Sequence, residues 1–172
     1  MYQAGDTALV IMVPEAEPVA GGWRERFDPM AADGVPAHLT VLYPFLRVDR
    51  IDDGVLGALT GLIGGHRTFD VVFRECGRFP GLLHLVPEPD GPVRALTRAV
   101  HARWPEAPPY GGRFGEDPAP HVTLTQGQGP AVLDRVEADV RTKLPFGTSV
   151  RSVGLVAYDG TAWSSRAEFP LG

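Results

Sequence analysis

Residues 37–43 read AHLTVLY and residues 120–126 read PHVTLTQ. Each is a short apolar run that carries one His and one Thr two positions apart, with a proline just upstream of the His, Pro36 in the first and Pro120 in the second. Runs of this length and alternation predict half-buried strands. Side chains at i and i+2 of a strand project from the same face. His38 then shares a face with Thr40, and His121 shares one with Thr123. Leu39, Val41, Val122 and Leu124 point the other way, toward a core.

Working outward, each stretch sits at the same place in a repeated order. An apolar run ending in proline precedes each: TALVIMVP from Thr7 to Pro14, and GLLHLVP from Gly81 to Pro87. A helix is predicted between each such run and its His-x-Thr strand. The first covers about Glu17 to Phe27 and is weakened by Gly21 and Gly22. The second covers about Gly91 to Trp104, with Pro92 in the favourable first turn and Val93, Leu96, Val100 and Trp104 at helical spacing. Downstream come further helices, about Asp52 to Ile63 and about Pro130 to Lys143, the latter with Val132, Val136 and Val140 on one face and Leu133 beside it. Strands follow at Thr68 to Phe79 and Thr148 to Tyr158. A last strand, Ala162 to Phe169, is set to pair as a hairpin turning at Asp159-Gly160. The order β-α-β-α-β thus occurs twice, in halves of about 1–80 and 81–172. The second half is longer by about ten residues ahead of its histidine, which places the insertion in the Pro/Gly-rich loop Pro105 to Ala119.

Bulk properties narrow the possibilities. The chain has 172 residues, 44% of them apolar, enough for one packed domain with an interior. The 21 Gly and 17 Pro point to many turns and short elements. A formal net charge of −5 argues against a surface built to neutralise long duplex nucleic acid. A small nucleotide or an RNA end in a local pocket is still compatible with it. The single cysteine, Cys76, excludes an internal disulfide and a cysteine-rich zinc site. The first residues lack a basic n-region and a small-residue cleavage pattern, and no run approaches the roughly 20 apolar residues of a membrane span. A cytoplasmic monomer without a membrane partner is the expectation.

Two strands presenting two imidazoles and two hydroxyls to one cleft would suit phosphodiester opening. Imidazole acts as a base when neutral and as an acid when protonated, both near neutral pH. Threonine hydroxyls can donate to non-bridging phosphate oxygens. Such a set demands no metal and no cofactor. The His-x-Thr pattern alone is weak, since a chain with this many His, Ser and Thr residues yields roughly 0.4 matches by chance. A third copy, His66-Arg67-Thr68, follows Gly64-Gly65 outside any apolar strand and has no counterpart in the repeat. It is set aside. Apolar flanks and matched positions in the two halves distinguish the other two copies.

The stretches AHLTVLYPF and PHVTLTQG resemble the paired signatures of the 2H phosphoesterase superfamily, in particular its 2′-5′ RNA ligase-like and cyclic phosphodiesterase branch. The resemblance extends over nearly the whole chain. It implies an α+β fold, bilobal with an internal pseudo-twofold, in which two mainly antiparallel sheets flank a central cleft. It implies metal-independent hydrolysis of 2′,3′-cyclic phosphates, or handling of 2′-5′ linkages, with His38 and His121 as the catalytic pair and Thr40 and Thr123 as phosphate-binding hydroxyls. Thr125 adds a further hydroxyl to the expected site face where the first strand has Leu42, so the halves are not equivalent.

Other substrate contacts are open at this level. Tyr43 and Phe45 could stack on a base, although a regular strand turns Tyr43 away from His38. Arg113 and Phe114, in the long loop, could meet a nucleotide. Arg47, Arg78 and Arg166 are further candidates for phosphate. His84 reads as structural and His101 as a surface residue of its helix. No His-Glu-x-x-His and no phosphate-cradling glycine loop occurs. A binding protein with little turnover, or a ligase running the same groups in reverse, would carry the same residues.

Overall fold

The two apolar runs that open the halves become the inner strands of two separate sheets. The computed structural model describes residues 2–172. Its strands are β1 (Thr7–Met12), β2 (His38–Leu42), β3 (Phe69–Phe79), β4 (Leu82–Glu88), β5 (Val122–Gln126), β6 (Phe146–Val150), β7 (Ser152–Tyr158) and β8 (Trp163–Pro170). The helices are α1 (Glu17–Phe27), α2 (Pro29–Ala32), α3 (Asp53–Gly64), α4 (Gly91–Arg103) and α5 (Pro130–Arg141). One sheet has the order β2-β1-β7-β8 and the other β5-β4-β3-β6, with every pairing antiparallel. The architecture is α+β with the pseudo-twofold anticipated from the repeat: β2, β1, β7 and β8 correspond in place to β5, β4, β3 and β6.

Sheet membership does not follow the halves. Strand β3 leaves the first half to pair with β4 and β6, and β7 leaves the second half to pair with β1. The stretch Thr148 to Tyr158, expected as one strand, is therefore two strands in two sheets, broken at Arg151. The break shows in the apolar phase. Thr148 and Val150 are buried at a spacing of two, but the next buried residue is Val153. That three-residue step exchanges the faces and ends period-two alternation.

The helices form where apolar spacing and caps agree. Helix α4 has Pro92 in its first turn and buries Val93, Leu96 and Val100. Asp52 caps α3 by accepting the Val55 N–H at 2.9 Å. Helix α1 forms despite Gly21 and Gly22, because Val19, Ala20 and Arg24 lie buried on one face. Its packing crosses between halves: α1 lies against β5, and α4 lies against β2. Most buried apolar side chains, including Leu39, Val41, Leu83, Leu85, Val122 and Leu124, join one continuous core. No helix among the described residues is long and apolar enough to cross a membrane.

Candidate active site

Strand β2 and the approach to β5 bring the two His-x-Thr segments together between the sheets. Burial alternates as their pattern predicts, with Leu39, Val41, Val122 and Leu124 in the core and Thr40 and Thr123 half-exposed. Both strands then break alternation at the same point. Val10 opposes Thr40 while Leu9 opposes Leu42, which leaves Val41 as an extra, bulged residue. His84 opposes Thr123 while Leu83 opposes Thr125, which leaves Leu124 bulged. A bulge immediately after each threonine ends the site face and turns the next residue inward. This corrects the expectation for Thr125. It is fully buried opposite Leu83, like its counterpart Leu42, and its hydroxyl has no hydrogen-bond partner among the described residues.

The two histidines are held in the same local way. Nδ1 of His38 lies 2.8 Å from the Pro36 carbonyl, and Nδ1 of His121 lies 2.8 Å from the Ala119 carbonyl. A carbonyl only accepts, so Nδ1 carries the proton in both neutral rings and Nε2 is left with a free lone pair. Their surroundings differ. His38 is only 7% exposed. Burial, the Arg24 guanidinium and the nearby His121 lower its pKa to about 4, against the opposing pull of the Pro36 carbonyl. His121 is more open, and burial lowers its pKa against the pull of the Ala119 carbonyl.

Three residues at this site were not singled out from the sequence. Arg24, from α1, is 2% exposed. It donates through Nε to the Thr123 carbonyl at 3.1 Å, and through its terminal nitrogens to Asp28 at 2.8 Å, Glu17 at 3.3 Å and the Val35 carbonyl at 3.3 Å. Glu17 in turn accepts the Ala37 N–H at 2.6 Å. One guanidinium thus ties β5 to the segment leading into β2. Thr97 of α4 makes the mirrored contact, donating to the Val41 carbonyl on β2 at 2.8 Å. A signal for Arg24 was present, since it stands one turn after Ala20 on the apolar side of α1.

His84, read as structural, lies beside His121 with ring centroids 5.3 Å apart, and stacks on Phe79 at 4.3 Å. Phe79 also meets His121 edge-on at 5.3 Å and stays 39% exposed. Gly77 makes room for this cluster, because a Cβ there would lie 2.5 Å from Cε1 of His84. Burial and the proximity of His121 lower the His84 pKa to about 4, the Leu85 carbonyl opposing them. The third residue, Tyr110, comes from the long loop and is anchored through its N–H just beyond the end of β2.

The remaining candidates are placed as follows. The Tyr43 ring packs edge-on against Trp163 at 6.2 Å in a small second cluster, and its carbonyl accepts the Tyr110 N–H at 2.6 Å. Phe45 is core, edge-on to Trp104. Arg113 and Phe114 are exposed on the loop, Phe114 against Tyr110. Arg47 is bound to Asp6 and the Ala4 carbonyl, and Arg78 to Asp134 and Glu137. Arg166 is exposed on β8. His66 follows α3 and exchanges backbone bonds with Ile63 and Gly172, away from either signature. His101 is half-buried rather than on the surface, and its Nδ1 has no partner among the described residues. Among those residues no group of three or more His, Cys, Asp or Glu side chains could hold a metal ion.

Comparisons with known proteins find the same fold. LigT of E. coli, solved in complex with 3′-AMP, superposes with a TM-score of 0.65 at 18% identity, covering 98% of this chain and 99% of that one. Its apo form gives a TM-score of 0.62 at 18% identity and 99% coverage of both chains. TT0787 of Thermus thermophilus gives 0.58 at 18% identity, over 96% of this chain and 97% of that one. At such identity these likenesses establish the fold. No curated protein matches the sequence. The profile of the 2′-5′ RNA ligase superfamily matches residues 12–162, a span that includes both His-x-Thr segments, and the chain belongs to that superfamily.

Proposed function

We propose that this chain is a metal-independent phosphodiesterase that opens 2′,3′-cyclic phosphates, or 2′-5′ linkages, on a small nucleotide or an RNA end. The observation that carries the reading is the matched pair of Nδ1–carbonyl bonds, which leaves one Nε2 from each half free for proton transfer. Binding of small nucleotides by a protein of this fold supports the substrate class, as LigT of E. coli has been solved with 3′-AMP and with ATP.

The difference in surroundings supports a division of roles. His38, buried beside the Arg24 guanidinium, is held neutral and takes the proton from the attacking water. The water oxygen bonds to phosphorus as the bond to one ribose oxygen breaks. His121, the more open ring, enters protonated and gives its Nε2 proton to that leaving oxygen. Thr40 and Thr123 donate to the non-bridging oxygens as charge grows on them. Phe79, exposed beside His121, offers a face to the base on the leaving side.

The test is turnover of 2′,3′-cyclic mononucleotides and cyclic-phosphate-ended oligonucleotides, followed by chromatography. His38→Ala and His121→Ala should each lose about 10³-fold or more, and EDTA should leave the rate unchanged. Full activity in either variant, or abolition by the chelator, overturns the reading.

A further inference from the structure

The two sheets differ at one matched pair of positions beside the site. Val10 lies opposite Thr40 and His84 lies opposite Thr123, so each stands next to a site threonine on the inner strand of its sheet. Each in turn faces a glycine on the third strand, Gly154 for Val10 and Gly77 for His84. Two residues beyond these glycines come Val156 and Phe79. In the first sheet the pair is aliphatic and covered: Val10 and Val156 are buried in one cluster with Trp163, and Tyr43 and Tyr158 pack against it. In the second sheet the pair is aromatic. His84 and Phe79 stack at 4.3 Å with 29° between their planes, and Phe79 stays exposed. Glycine at 77 is what admits the imidazole. A Cβ there would fall 2.5 Å from Cε1 and 2.8 Å from Nε2 of His84, whereas at Gly154 it would meet nothing nearer than the Val10 carbonyl oxygen at 3.7 Å.

The histidine on this side is the one that needs support. Both site imidazoles share the same Nδ1–carbonyl bond, but one hydrogen bond does not by itself fix a ring that turns about two side-chain torsions. At His38 the surrounding protein completes the task, since that ring is almost wholly buried. His121 is only half-buried, and two rings lie against it: Phe79, edge-on at 5.3 Å, and His84, tilted by 57° at 5.3 Å. We infer that Phe79 and His84 are positioning residues for His121, forming a two-ring wall that keeps its Nε2 aimed at the phosphate. Stacked and edge-on aromatic contacts are directional, so the stack fixes the wall and the wall fixes the imidazole. What the wall requires at position 84 is a flat ring rather than a proton. Its effect is on the chemical step, because a proton donor displaced by about 1 Å loses on the order of 100-fold in rate. This role rests on the phosphodiesterase reading above, in which His121 delivers the proton.

The experiment compares the full chain with its His84→Val, His84→Phe and Phe79→Leu variants. His84→Val copies the residue found at the matched place in the other sheet, and His84→Phe restores a flat ring. On a 2′,3′-cyclic mononucleotide, His84→Val should lower kcat about 10- to 100-fold with KM within about twofold, and His84→Phe should return kcat to within about threefold of the parent. Nitrogen-15 NMR of the imidazoles at pH 7, without substrate, gives a second readout. His121 should show a single Nδ1-protonated tautomer in the parent and in His84→Phe, and averaged or broadened ring signals in His84→Val and Phe79→Leu. Phe79 is exposed, so Phe79→Leu reads the same wall even if His84→Val proves too unstable to assay. Parental kcat in His84→Val, an equal loss in His84→Val and His84→Phe, or unchanged His121 signals in Phe79→Leu overturns the role. Absence of turnover in the unmodified protein would instead overturn the phosphodiesterase reading, while the NMR spectra still report whether the stack holds His121.

Discussion

Nε of Arg24 donates to the carbonyl oxygen of Thr123 at 3.1 Å, so a side chain from the first half holds the backbone of the second half's site strand. The same guanidinium pairs with Asp28 at 2.8 Å, both groups being almost wholly buried. Removing one member of a buried pair strands the other in a medium that cannot solvate it.

Arg24→Ala is therefore expected to destabilise the protein by about 3–5 kcal/mol, as other broken buried pairs do. Urea unfolding would measure it. A loss under about 1 kcal/mol, the scale of an exposed pair, would show that the clamp is weak.

The lowered histidines make the activity acid-shifted. The base, His38, must be neutral, so kcat/KM falls as pH drops through its pKa of about 4. The acid, His121, must be protonated, so kcat/KM falls as pH rises through a pKa that burial holds below 6.5. The free-enzyme profile should be a bell whose alkaline limb lies on the acid side of ordinary histidine titration. A limb above pH 7 in kcat/KM would contradict the assignment.

Stability should follow the same histidines. Unfolded, His38 and His84 take up protons near 6.5, while in the folded chain each resists until about pH 4. In that window the unfolded state binds more protons, so stability is complete above 6.5 and declines as pH falls toward 4. Each residue contributes on the order of 2 kcal/mol to the decline by pH 4.5. His84→Phe keeps a flat ring on Phe79 and removes one proton uptake, so its urea midpoints at pH 7 and pH 4.5 should lie closer together than those of the parent. An equal spread would show that His84 titrates freely.

Local pattern made most of the fold and the centre of the site legible. His38 and His121 stood out because strand alternation and the repeat placed each beside a threonine on one face. Helix α4 stood out through Pro92 and the spacing of Val93, Leu96 and Val100. What escaped was non-local. The bulges at Val41 and Leu124 depend on the partner strand's register, and without that register Thr125 reads as a site residue. His84 gains meaning only from pairing opposite Thr123. Tyr110 sits in a Pro/Gly loop where periodicity says nothing, and Arg24 reads as an ordinary helix charge until α1 is known to lie on β5.

The exchange of β3 and β7 between the sheets bears on how such a molecule can be divided. A fragment containing one β-α-β-α-β unit would leave its third strand with no sheet to enter, and its first strand would lack a neighbour on one side. Its helix, too, would have lost the foreign strand on which it rests. A single unit could recover these contacts only from a second copy, each lending the other its third strand. The assembly that resulted would be a domain-swapped pair with one His-x-Thr segment from each partner meeting at the twofold axis. Covalent linkage of the units, as in this chain, is what lets the two sides of that axis acquire different neighbours, such as the stack of Phe79 and His84 on the His121 side alone.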